Sequence, residues 1–97
     1  MIMQFEWDDW KNKINIKKHG IDFSDVCMMF DAPMLIQLDQ RQEYYEDRWV
    51  GVGMLKSIVV VVVFTDRHED EEGAIRIISA RKATQSERQK YEKEISH

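Results

Sequence analysis

The residues of this chain best suited to chemistry are cations. Arg67 and His68 follow an apolar run, Arg76, Arg81 and Lys82 lie in the next one, and Lys17, Lys18 and His19 are consecutive before Gly20. A guanidinium is a planar fork that matches phosphate oxygens two at a time. Two such forks held at strand ends would grip a phosphodiester and offset the charge that builds in its transition state. If the neighbouring 2′-hydroxyl of RNA is the nucleophile, cleavage needs a base, an acid and that charge stabilisation, and no metal. Each residue also has a plainer reading. Arg76 and Arg81 would pair with the acidic run Glu69–Glu72, and Lys82 would solubilise a strand end. His19 suits the negative end of a helix dipole. Trp10 reads more simply as core than as a platform for unpaired bases.

Other chemistries find no footing. The sequence has no glycine-rich phosphate loop, G-x-S-x-G elbow, HExxH helix or EF-hand pattern. The single cysteine, Cys27, excludes an intramolecular disulfide and any CxxC zinc site. His19, His68 and His97 are scattered, so neither a metal nor a cofactor is expected. The net charge of −4 argues against a generally nucleic-acid-coating surface. Both ends are nevertheless richer in cations than in acids, and local potential is what phosphate responds to. The start Met1-Ile2-Met3-Gln4 has no basic, apolar signal pattern, so the expectation is a cytoplasmic protein with no membrane association.

These side chains need a scaffold, and 97 residues point to one domain over 1–97. Ile58 to Phe64 is an unbroken run of β-branched residues closed by an aromatic. Such a run, without alternation, predicts a central strand covered on both faces. Ala74 to Lys82 predicts its neighbour, with Arg76, Ile78 and Ala80 on one face and Ile75, Ile77, Ser79 and Arg81 on the other. Before them, Phe5-Glu6-Trp7 is a short extended entry. A helix from Asp8 or Asp9 to about Lys18 follows, ended by Gly20. Trp7, Trp10, Ile14 and Lys17 fall near helical spacing and predict an apolar stripe with a cationic end. A second helix, Phe23 to Phe30, is capped by Asp22 and stopped before Pro33, with Phe23, Val26, Cys27 and Phe30 facing the core. Met34 to Leu38 and Arg48 to Leu55 read as strands, the latter thinned by Gly51 and Gly53 so that something packs close. Asp39 to Asp47 reads as a polar loop. Thr84-Gln85-Ser86-Glu87 has capping-box spacing and starts a last helix anchored by Tyr91 and Ile95. The order β-α-α-β-β-β-β-α predicts an α+β domain: a mostly antiparallel sheet of about four to five strands, two N-terminal helices and one C-terminal helix.

Two stretches carry a resemblance. One is Phe5-Glu6-Trp7-Asp8, Lys11-Asn12, Asn15, Lys18-His19-Gly20, Phe23, Phe30-Asp31 and Pro33. The other is Thr65-Asp66-Arg67, then Arg76 through Thr84, Glu87-Arg88 and Tyr91. Together they resemble the BrnT toxins of bacterial type II toxin–antitoxin pairs across nearly the whole chain. The resemblance implies a RelE-like fold and a metal-independent RNA endonuclease that halts growth. It implies a BrnA-like ribbon-helix-helix antitoxin that neutralises the toxin, with operator DNA contacted only through the antitoxin complex, which represses the operon. By position, Arg67 and Arg81 are the leading catalytic residues, with His19 and Lys18 assisting proton transfer. Arg76, Lys82, Lys17 and Trp10 are the substrate-binding set. The run Glu69–Glu72 is longer and more acidic than is usual in the family. A different reading is a catalytically inactive, toxin-like binding module that partners a small ribbon-helix-helix DNA-binding protein.

Overall fold

A computed structural model describes residues 3–41, 47–66 and 73–95. Five strands form one sheet in the order β1-β5-β4-β3-β2: β1 Phe5–Glu6, β2 Leu35–Leu38, β3 Trp49–Leu55, β4 Ile58–Asp66 and β5 Ile75–Lys82. β1 runs parallel to β5, and every other pairing is antiparallel. The expected α+β class, strand count and helix count all hold.

β4 is the middle strand, as its composition requires. Val59 through Thr65 are all buried, so both faces are covered. Stiff β-branched side chains suit this pleated site, and each buried valine contributes about 1.5–3 kcal/mol relative to exposure. One face meets the N-terminal helices. There Val60, Val62, Phe64, Ile77 and Ala80 join Phe23, Val26 and Met29 in the main core. Gly51 and Gly53 lie on this face, opposite Val62 and Val60. A Cβ on Gly53 would stand 2.7 Å from Met34 Cγ, so the glycine is there because methionine fills its place.

Helix α1, Asp9–His19, starts at Asp8, whose carboxylate accepts from Lys11 N at 3.0 Å. It ends at Gly20, in the left-handed region at φ 71°. The expected apolar inner stripe is absent. Trp10 is 69% exposed and Ile14 47%. The inward residues are polar. Asn15 is buried and donates to the carbonyls of Ile21 and Ala80, both at 2.9 Å, while accepting from Ala80 N at 3.1 Å. Asn12 donates to Asp22 Oδ1 and accepts from Phe23 N. Helix α1 is therefore attached by hydrogen bonds rather than by an apolar face, which is why hydrophobic spacing misread it.

The second predicted helix is in fact two pieces. α2, Phe23–Val26, tightens into a 3-10 segment, Cys27–Asp31. With three residues per turn, the buried positions become Phe23, Val26 and Met29. Cys27 turns partly outward, its thiol 3.5 Å from Phe23 O.

The predicted face pattern of β5 also needs correction. Phe64 pairs with Ile77 but Val63 pairs with Ser79, so Ile78 is an extra residue in a β-bulge. Residues directly opposite one another share a face, so the bulge reverses parity halfway along the strand. Ile77 and Ala80 both face the main core. Arg76, Ser79 and Arg81 face the other way, beside Thr65, Val63 and Val61.

Helix α3, Gln85–Glu94, lies against β3, and its Tyr91 is buried. Thr84 Oγ1 accepts from Glu87 N at 3.3 Å and the Glu87 carboxylate accepts from Thr84 N at 2.8 Å, completing the expected capping box. No helix among the described residues is long and apolar enough to cross a membrane.

Candidate functional site

Arg81 is placed by three local features. The bulge at Ile78 turns it away from the main core, its ladder partner Val61 fixes its height on the sheet, and α3 begins four residues later. Glu87, in the first turn of α3, meets it with a two-pronged bond. Arg81 NH1 donates to Oε1 at 2.8 Å and NH2 to Oε2 at 3.0 Å. Oε1 is the same oxygen that accepts from Thr84 N. The capping box thus fixes the carboxylate, and the carboxylate fixes the guanidinium. Arg81 NH1 also reaches Lys82 O at 3.3 Å. These hydrogen bonds from Arg81 hold the Glu87 carboxyl at about 2, against the opposing effect of burial and with help from the Thr84 amide. Glu87 is thus an anion at any ordinary pH and too weak a base to take a proton from a hydroxyl.

Arg81 and Glu87 line a depression of about 450 Å³ that also contains Gln37, Asp39, Arg41 and Val50. Across Gln37, Val50 and Glu87 it continues into a groove of about 520 Å³ between α3 and strands β2 and β3. The groove floor is apolar, with Leu35, Val50 and Val52, and its rim carries Ser86, Lys90 and Glu94 from α3.

Arg41 stands in this depression because of the end of β2. Asp39 N donates to Arg48 O at 2.7 Å, extending the β2–β3 ladder by one rung. The Asp39 side chain is 1% exposed. Its carboxylate accepts from Arg41 N at 3.2 Å, a local turn typical of aspartate, and from Arg41 Nε and NH2 at 2.8 Å each. The Arg81 pKa is raised by its hydrogen bonds to Glu87; burial and, least, the charge of Arg41 oppose the rise.

The remaining sequence-predicted residues that the structure describes are spread over the molecule. Arg76 shares the Arg81 face, but it lies near the other end of β5, roughly 13–16 Å along the strand, and pairs with Glu6 at 3.7 Å. That distance is too great for both to hold one phosphate. Lys82 pairs with Val60 and so faces the main-core side. α1 lies on that side too, since Asn15 binds Ala80, and Trp10, Lys17, Lys18 and His19 are all carried by α1. Of these, Trp10, Lys17 and Lys18 are exposed and His19 is half-buried. The sheet therefore separates the α1 residues from Arg81. Arg67, His68 and the run Glu69–Glu72 lie outside the described residues. Asp66 ends β4 opposite Ile75, five residues along from Val61, or roughly 16 Å from the level of Arg81.

Sequence reasoning missed Asp39 and Arg41 and used Glu87 only as a cap. The Glu87 role had a signal, because a capping-box glutamate six residues after an arginine at a strand end points back at it. Arg41 had none, lying in a polar stretch whose partner depression exists only in three dimensions.

The family model described as "Ribonuclease toxin, BrnT, of type II toxin-antitoxin system" matches residues 7–87. Among solved structures, the chain is similar to the Brucella abortus ribonuclease toxin BrnT, with a TM-score of 0.62 and 28% identity. That match covers 87% of this chain and 100% of the other. No curated protein matches the chain.

Proposed function

Because the chain belongs to the family of BrnT ribonuclease toxins of type II toxin–antitoxin systems, we propose that it cleaves RNA endonucleolytically without a metal. The 2′-hydroxyl of one nucleotide attacks the adjacent phosphorus and the P–O5′ bond to the next breaks, leaving a 2′,3′-cyclic phosphate, while the hydroxyl's proton passes by way of water to the departing 5′-oxygen. Arg81 faces the phosphate and offsets the charge gained at the pentacoordinate transition state. The observation carrying this reading is the Arg81–Glu87 fork, which fixes a guanidinium at the mouth of an open groove without consuming all its donors. Nε–H and one hydrogen of NH2 remain for a ligand. Arg67 is assigned the second catalytic arginine on family likeness alone. His19 and Lys18, across the sheet from Arg81, receive no step.

A BrnA-like ribbon-helix-helix antitoxin neutralises the protein, and their complex represses the operon. Membership of a type II family supports the antitoxin.

The test is RNA degradation by the purified protein in EDTA. Arg81→Ala is expected to fold and to lose about 10²–10³ in rate, the usual effect of removing one charge-stabilising donor. Cleavage by Arg81→Ala at the wild-type rate would reject the role. A second reading, an inert binding module, is favoured by the same fork, since Glu87 already neutralises Arg81. Expression without an antitoxin separates the two: an inert module leaves growth unchanged.

A further inference from the structure

The described structure leaves Arg81 without Arg76 or the α1 lysines as a near neighbour, yet one arginine makes a weak phosphate site. Arg41 lines the same depression as Arg81, and its charge is felt by the Arg81 guanidinium. We propose that Arg41 is the second arm of the phosphate cradle, so that Arg41 and Arg81 together hold the backbone of single-stranded RNA entering the groove. This rests on reading the groove as an RNA site.

The two arginines are built alike. Each is gripped on two nitrogens by a carboxylate from its own neighbourhood, Asp39 two residues before Arg41 and Glu87 six residues after Arg81. A grip of this kind fixes the plane of the fork before any ligand arrives and lowers the entropy lost on binding. The carboxylates also set a threshold. A lone anion meets two guanidiniums already bonded to carboxylates, whereas a polyanion threading the depression meets both and releases counterions from several phosphates at once. Asp39 differs from an ordinary surface partner because its side chain is 1% exposed while that of Arg41 is 71% exposed. The acid is committed to the protein and the base is presented to solvent. Gln37 and Val50, shared by the depression and the longer groove, give the nucleotide beside the held phosphate an apolar wall with an amide at its edge.

The probe is a 2′-O-methyl RNA oligonucleotide, which lacks the nucleophile and cannot be cleaved, with binding followed by fluorescence anisotropy over a salt series. Arg41→Ala alone would remove two side-chain donors from the buried Asp39 carboxylate and risk the fold. The decisive variant is therefore Asp39→Asn with Arg41→Ala, which leaves net charge unchanged. It is expected to bind about tenfold more weakly, the effect of one charge-assisted hydrogen bond. Its plot of log K against log salt is expected to be shallower by about 0.7, the signature of one lost phosphate contact to a single strand. Arg88→Ala, which removes an exposed arginine paired with Glu92 outside the depression, is expected to bind as wild type does. Wild-type affinity and slope in the double variant overturn the cradle, as does absence of wild-type binding. Wild-type binding lost in the double variant, with no cleavage of ordinary RNA by the wild type, keeps the cradle and rejects the nuclease reading.

Discussion

Replacing Glu87 with glutamine tests whether one carboxylate joins the fold to the site. Glutamine keeps an oxygen for Thr84 N, so the cap survives while the charge facing Arg81 is lost. The drop of the Glu87 pKa from 4.5 to about 2 converts, at 1.36 kcal/mol per unit, to about 3 kcal/mol. That figure is too large for a pair whose side chains are 41% and 31% exposed, because solvent screens it. We expect a loss of about 1–2 kcal/mol at pH 7. The sign follows from linkage. The folded-state pKa lies below the unfolded value, so the stabilisation is complete above about pH 4.5 and is lost as pH falls toward 2. Urea unfolding of wild type and Glu87→Gln at pH 7, 5, 4 and 3 reads this directly. The gap between the two proteins should be nearly constant from pH 7 to 5 and should shrink by more than half by pH 3. A gap of the same size at pH 3 and pH 7 would refute the argument, because the lost interaction would then not be that of an ionised Glu87.

Two further outcomes probe the packing. Asn15→Leu keeps the number and branching of the side-chain heavy atoms but strands the Ala80 amide and the carbonyls of Ala80 and Ile21; it should cost at least about 2 kcal/mol in urea unfolding, since each unmet buried group costs about 1–3. Gly53→Ala drives a methyl to 2.7 Å from Met34 Cγ, for a cost of about 1–3 kcal/mol; combining it with Met34→Ala should give a loss smaller than the sum of the two single losses in the same assay.

What the sequence disclosed, and what it hid, divides along one physical line. Features encoded by neighbours in the chain were legible. The β-branched run had to be a doubly covered strand, Gly20 had to end a helix, and Thr84 to Glu87 had to start one. Features encoded by distant partners were not. The inner face of α1 is Asn12 and Asn15, and their meaning lies in Asp22, Phe23 and the Ala80 backbone. Spacing alone promoted Trp10 and Ile14 to core positions that Asn15 occupies. The switch from α2 to the 3-10 segment had the same effect, since only packing shows that Met29 rather than Cys27 continues the buried line. Arg41 escaped notice because its partner across the depression is forty residues away in sequence.

The bulge at Ile78 matters most for the site. Strict alternation from buried Ile77 would carry Ser79 and Arg81 to the same face, beneath the N-terminal helices. A guanidinium there would lie against the apolar layer of Phe23, Val26 and Met29, where an unpaired charge costs several kcal/mol. One extra residue puts Ala80 into that layer instead and delivers Arg81 to the side where α3 begins and Glu87 waits. A single backbone irregularity therefore serves the core and the site together. It keeps the apolar face apolar, and it aims the cation at an open groove, with Arg41 across the same depression. Read as a plain alternating strand, Arg76 and Arg81 belong to opposite faces. With the bulge they share one, but too far apart for a common phosphate, so a partner for Arg81 has to come from another element. Among the described residues, the end of β2 supplies it.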